Sequence, residues 1–199
     1  KRQEGAIVTP EPGDIIITEV HENPDGASFT IRGNSEYFEV TNASDDLVMD
    51  LNGVIFADNS RSFAVNRQLL VPPGGYVLFS KTGDPAGNGG LQNPDFVYGG
   101  IPNGAITLGT RDNLIVTTAD GTLLAGVYWN RDSWPLRDRG QSYELRDNIN
   151  PWDLDEQSTA DAESTGQEIL PDTGWRLGCV AYGDGRNRGS PAARAVGCP

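Results

Sequence analysis

Histidine is nearly absent from this chain; His21 is the only one in 199 residues. Lysine is scarce too, with Lys1 and Lys81 standing beside a basic complement that is otherwise arginine. Cysteine occurs twice, at Cys179 and Cys198. With the one histidine far away in sequence, these two do not make zinc-site spacing. No apolar run approaches the roughly 20 residues of a membrane-spanning helix. Helical periodicity is almost missing. No Walker-type loop, dinucleotide fingerprint or nucleophile elbow appears. GNGG and VYGG lack the strand–helix context that phosphate cradling needs. Basic charge is also short: 15 Lys and Arg face 28 Asp and Glu, a formal net charge of −13. Such a surface repels phosphate backbones at long range, so nucleic acid is not an expected partner.

Short strand-like runs bounded by turn residues fill the first three quarters of the chain. They are Asp14–Val20, Glu36–Ala43, Gly53–Ala57, Ser62–Val65, Gln68–Ser80 split by PPGG, Ala105–Gly109, Asn113–Thr118, Thr122–Trp129 and Gln141–Arg146. ADGT at 119–122 marks a hairpin, since Asp-Gly suits a tight turn. In EYFEVTN, Tyr37 and Glu39 fall on one face and Phe38 and Val40 on the other. The expected fold is all-β, an antiparallel two-layer sandwich with long loop insertions. Residues 1–13 read as a linker, from a processed or trimmed precursor. The domain then covers 14–199, with its core at about 14–147. The polar loop Lys81–Gly100 interrupts the strand rhythm. So does an acidic insertion over 150–174, which has no Lys or Arg. In 175–199 the charge reverses and the two cysteines suit one disulfide, worth roughly 3 kcal/mol in the chain-entropy picture. A bridge implies an oxidising compartment: secreted, periplasmic or cell-surface.

Several blocks, in order and spacing, resemble the lamin tail domain family in its bacterial extracellular branch. They are IITEVHENP (16–24), EYFEVTN (36–42), DLNG (50–53), LLVPPGGYVLFS (69–80), DNLIVTTADGTLLAGVYW (112–129) and WPLRDRGQSYEL (134–145). GSPAA at 189–193 is similar to the small Gly/Pro-rich ending common in that branch. Val54 and Ala125 depart from residues frequent in relatives, Trp and Asp respectively. The resemblance implies an immunoglobulin-like sandwich without catalytic activity of its own, in a secreted or surface protein.

Three sets of residues carry chemistry. Glu19, Glu39 and His21 are the candidates for acid–base work in a hydrolase, and alternation puts Glu19 and His21 on one face. The structural alternative is that the carboxylates bond to backbone amides, with Asn42 capping its own loop. Asp45, Asp46, Asp153, Asp155 and Glu156 offer the oxygen ligands calcium takes, though without EF-hand spacing. Trp134 and Trp152, in Pro-flanked loops, are candidates for stacking on a ligand; Trp129 reads as core. These sets frame three functions. The first is a non-catalytic interaction or structural module for a protein or cell-surface polysaccharide. The second is a calcium-assisted carbohydrate or cell-surface binder. The third is a hydrolase using Glu19, Glu39 or His21.

Overall fold

A computed structural model describes residues 4–101, 106–130, 132, 139–146, 167–170 and 174–193. The elements in chain order are β1 (Ile7–Val8), β2 (Ile15–His21), α1 (Phe29–Asn34), β3 (Tyr37–Asn42), β4 (Val48–Asp50), β5 (Ile55–Ala57), β6 (Ser62–Ala64), β7 (Leu70–Val71) and β8 (Tyr76–Ser80). There follow β9 (Phe96–Val97), β10 (Arg111–Thr117), β11 (Leu123–Asn130), β12 (Tyr143–Leu145), β13 (Gln167–Glu168), β14 (Trp175–Leu177), β15 (Ala181–Tyr182) and β16 (Asn187–Arg188). A six-stranded sheet, β14-β12-β2-β3-β8-β9, lies against a five-stranded sheet, β13-β11-β10-β5-β6. The protein is the all-β sandwich that the alternating pattern implied, of the immunoglobulin-like kind that the resemblance implied. Pairing is mainly antiparallel, with short parallel contacts of β9 on β8, β13 on β11 and β1 on β4.

Aromatic rings join the two layers. Phe38, Phe79 and Phe96 are register partners across the larger sheet, and Phe56 and Phe63 across the smaller. Phe38 stacks on Phe79 at 4.8 Å, and Phe56 reaches across the interface to Phe79 at 4.6 Å. All five are buried. Such pairs add about 0.5–1.5 kcal/mol each beyond the area they remove from water. Trp129 and Trp175 are also fully buried, as is Tyr143, so none of the three forms a stacking platform.

The structure corrects several boundaries. Residues 1–13 are not wholly linker: Ile7–Val8 pairs with Val48–Met49 in a small third sheet, β1-β4-β7. PPGG is the turn between two apolar stretches that the sequence suggested, and those stretches enter different sheets, β7 joining β4 and β8 joining β3. No strand forms over 106–109. The Lys81–Gly100 loop is half packed inward, with Asn88, Leu91, Phe96 and Tyr98 buried.

Asn42 ties these pieces together. Its amide nitrogen donates to the Leu47 carbonyl at 2.7 Å and the Val71 carbonyl at 2.9 Å, and its oxygen accepts the Ser44 amide at 2.9 Å. It thus caps its own turn and also links β3 to β7. Asn42→Ala removes both of these buried hydrogen bonds, and should cost about 2 kcal/mol. Asn42→Asp should destabilise at least as much, because it sets a carboxylate against those carbonyls. Chemical denaturation of both variants checks this; wild-type stability in Asn42→Asp would remove the role.

Candidate functional site

The face of the six-stranded sheet that turns away from the aromatic core carries the chemistry. A β-bulge creates it. Ile17 pairs with Val40 and Glu19 with Glu39, leaving Thr18 as the extra residue. Without the bulge, simple alternation would put Ile17 and Glu19 on the same face; the extra residue lets Ile17 and Val20 both enter the core. Thr18 then turns its hydroxyl onto Glu39 Oε1 at 2.7 Å. On β12, Tyr143 and Leu145 face the core, so Glu144 faces outward opposite Glu19. The register therefore lines up Arg176, Glu144, Glu19 and Glu39 across β14, β12, β2 and β3. Each of the three glutamates is only 1 % exposed. Carboxylates on directly opposed strand positions repel one another.

The C-terminal segment 178–193 covers this row. The Ser190 amide donates to Glu19 at 3.1 and 3.3 Å, and the Ser190 hydroxyl donates to Glu144 Oε1 at 3.1 Å. The cover ends in a turn in which the Ala193 amide donates to the Ser190 carbonyl at 3.0 Å. From the sheet itself, the Tyr37 hydroxyl donates to Glu19 Oε1 at 2.5 Å, and Arg176 Nε pairs with Glu144 at 3.3 Å. His21 is fully buried beside the row, with its Nδ1 2.9 Å from the Tyr182 hydroxyl. Its ring meets Tyr37 edge-on at 5.1 Å.

Further contacts seat the segment. Asn187 accepts the Asp25 amide at 2.7 Å and donates to the Asp25 carbonyl at 3.1 Å. Gly90 and Gly183 approach so closely that a β-carbon on Gly90 would lie 2.6 Å from the Gly183 α-carbon. Tyr182 packs on Tyr37, Leu78 and Leu91.

Burial dominates the electrostatics. It pushes the Glu19 carboxyl up to about 7, helped by the Glu144 charge and opposed by hydrogen bonds from Ser142, Tyr37 and the Ser190 amide. Burial, then the charge of Glu19, raises Glu39 well above the usual carboxylate range. Burial also raises the Tyr37 and Tyr182 hydroxyls, next to Glu19. Neighbouring carboxyls whose protons are tightly held could in principle do acid–base chemistry. Here their hydrogen bonds go to the chain's own backbone and side chains.

The structure thus brings Glu19, Glu39 and His21 onto one face, and it adds Glu144, Arg176, Tyr182 and Ser190. Glu144 was legible only as an acid alternating with Tyr143 and Leu145 in QSYELR; Ser190 lies inside GSPAA. Asp45 and Asp46 are exposed in the turn after β3. Among the described residues no group of three or more His, Cys, Asp or Glu could hold a metal ion. Asp153, Asp155, Glu156, Trp134 and Trp152 lie outside the described residues, as does Cys198. Cys179, just inside the covering segment, carries no free thiol. Among the described residues no helix is long and apolar enough to cross a membrane.

Gly189 marks the closest approach of cover to sheet. A β-carbon there would overlap Glu19 Oε1 and the Tyr37 hydroxyl. Gly189→Ala should therefore destabilise by about 1–3 kcal/mol, the range for overpacking a filled site. Thermal unfolding of the variant checks this; an unchanged midpoint would mean that the cover is not seated against Glu19.

Comparison with curated proteins finds no match for this chain. Comparison with protein families matches residues 9–150 to the Lamin Tail Domain. That span runs from the turn before β2 through β12, and holds Glu19, Glu39, Glu144 and every sandwich strand except β13 and β14, which lie beyond it with the covering segment. With most of its length matched in this way, the chain belongs to the lamin tail domain family.

Proposed function

We propose that this domain is a non-catalytic interaction or structural module of an extracytoplasmic protein. The observation that carries the reading is the sealing of the Glu19–Glu39–Glu144 row. A hydrolytic carboxylate pair needs room for a substrate and a water between its members. These carboxyls instead meet Ser190, Tyr37, Thr18 and Arg176. They anchor a third layer of the fold and present nothing to solvent. Membership of an immunoglobulin-like interaction family supports the same reading, although a fold alone does not fix a function.

The compartment follows from a proposed Cys179–Cys198 bridge, which would pin the end of the covering segment and persist only under oxidising conditions. Maleimide labelling of the denatured, unreduced protein should modify no cysteine, and labelling after reduction should modify both. Labelling before reduction would overturn the bridge and the compartment drawn from it.

Partners of this module would be a protein or a cell-surface polysaccharide, bound at the exposed loops. The functional test is an activity panel of chromogenic glycosides, esters and phosphodiesters, run on the wild type and on Glu19→Gln. The expected result is no turnover that depends on Glu19. Turnover abolished by Glu19→Gln would restore the hydrolase reading. Addition of millimolar calcium should leave the unfolding midpoint unchanged; a rise in the midpoint, as mass action requires of any ligand of the folded state, would favour the calcium-assisted binder.

A further inference from the structure

The cover rests on more acid than the described cations can neutralise. Each element packed around the row contributes. β2 brings Glu19 and His21, β3 brings Tyr37 and Glu39, β12 brings Glu144, and β14 brings Arg176. From the cover itself, Tyr182 faces His21 and Tyr37. Asp184 on its turn pairs with Arg186 at 3.4 Å, and Arg188 is exposed. Asp25 meets the cover through its backbone, at Asn187. Among the described residues, Arg176 is the cation bonded to the row, and it is spent on Glu144.

The three carboxyls accordingly differ in how their charge is met. Glu144 has a guanidinium. Glu19 has a tyrosine hydroxyl and a backbone amide. Glu39 has a threonine hydroxyl. Glu19 and Glu39 face each other at directly opposed strand positions, and their described donors are neutral, so a proton retained by that pair stabilises the buried row.

We propose that residues 178–193 form a proton-held cover, seated on the Glu19–Glu39–Glu144 row while the row keeps a proton and loosened when all three carboxyls ionise. The sign follows from linkage. The carboxyls of Glu19 and Glu39 hold protons more tightly in the seated state than when exposed. Their contribution is therefore complete at acid pH, below the ordinary carboxylate value, and is lost as pH rises through and beyond about 7. The aromatic core between the sheets contains none of these groups, so it keeps its packing while the cover lifts. Lifting uncovers the carboxyl row and the Tyr37, Leu78 and Leu91 side chains beneath Tyr182. An acidic, aromatic face would then become available on the outside of the six-stranded sheet.

The test is hydrogen exchange followed by mass spectrometry on the whole chain, from about pH 5 to about pH 9, with rates corrected for intrinsic exchange. Between the ordinary carboxylate value and the raised value of the seated state, each pH unit weakens the seated state by up to about tenfold per retained proton. Protection of peptides spanning 178–193 should fall by about tenfold or more across this range, while β10–β11 peptides hold theirs. Glu39→Gln keeps the shape of the protonated side chain and cannot ionise, so it should flatten the dependence in 178–193. If Glu39→Gln does not fold, Glu19→Gln serves the same purpose. Protection that is constant with pH in 178–193, that falls equally in β10–β11, or that falls unchanged in the glutamine variant would overturn the proposal.

Discussion

Carboxyls buried on the outward face of a sheet set the terms for this structure. A sandwich needs only its inward faces to be apolar; its outward faces ordinarily meet water. Here Glu19, Glu39 and Glu144 sit on an outward face yet are removed from water. Burying such groups without partners would cost several kcal/mol each. The cost is offset in part because segment 178–193 supplies donors, the Ser190 amide to Glu19 and the Ser190 hydroxyl to Glu144. The glutamates and the cover each require the other. Their partnership turns a two-layer sandwich into a three-layer body.

This dependence explains why small residues crowd the cover. Backbone amides reach a buried carboxylate only if the chain approaches closely, and Gly189 allows that approach. Gly90 and Gly183 do the same where the 81–100 loop meets the cover. That polar loop is thus partly a structural flank. Tyr182, filling the space over Tyr37 and beside His21, adds an apolar component to what is otherwise a polar seam.

Much of the sandwich was legible in the sequence because its signal is local. Alternation in EYFEVTN put Phe38 and Val40 on one face and Tyr37 and Glu39 on the other, and the structure turns the first pair into the core. The Asp-Gly turn located β10 and β11, and Asn42 caps its own loop as its type suggested. The site was legible only in fragments. Nothing in IIITEVH announces a bulge at Thr18, since its cause is pairing with β3. Glu144 gave an unremarkable alternation, and became part of the row through its register with Glu19, which lies more than a hundred residues earlier. The pairing of β7 and β8 with different sheets, and the docking of GSPAA onto carboxyls, are likewise long-range choices. A period-two pattern cannot encode them. The family match ends before the cover begins, so the segment that completes the site lies outside it.

The central claim is that the covering segment is an integral layer of the domain. Its most direct test is the unfolding transition of a chain ended after Leu177, compared with that of the whole chain. If the account is right, the shortened chain loses much of its stability, because Glu19 and Glu144 lose the Ser190 donors and the rings of His21 and Tyr37 lose Tyr182 at once. An unfolding midpoint equal to that of the whole chain would contradict it.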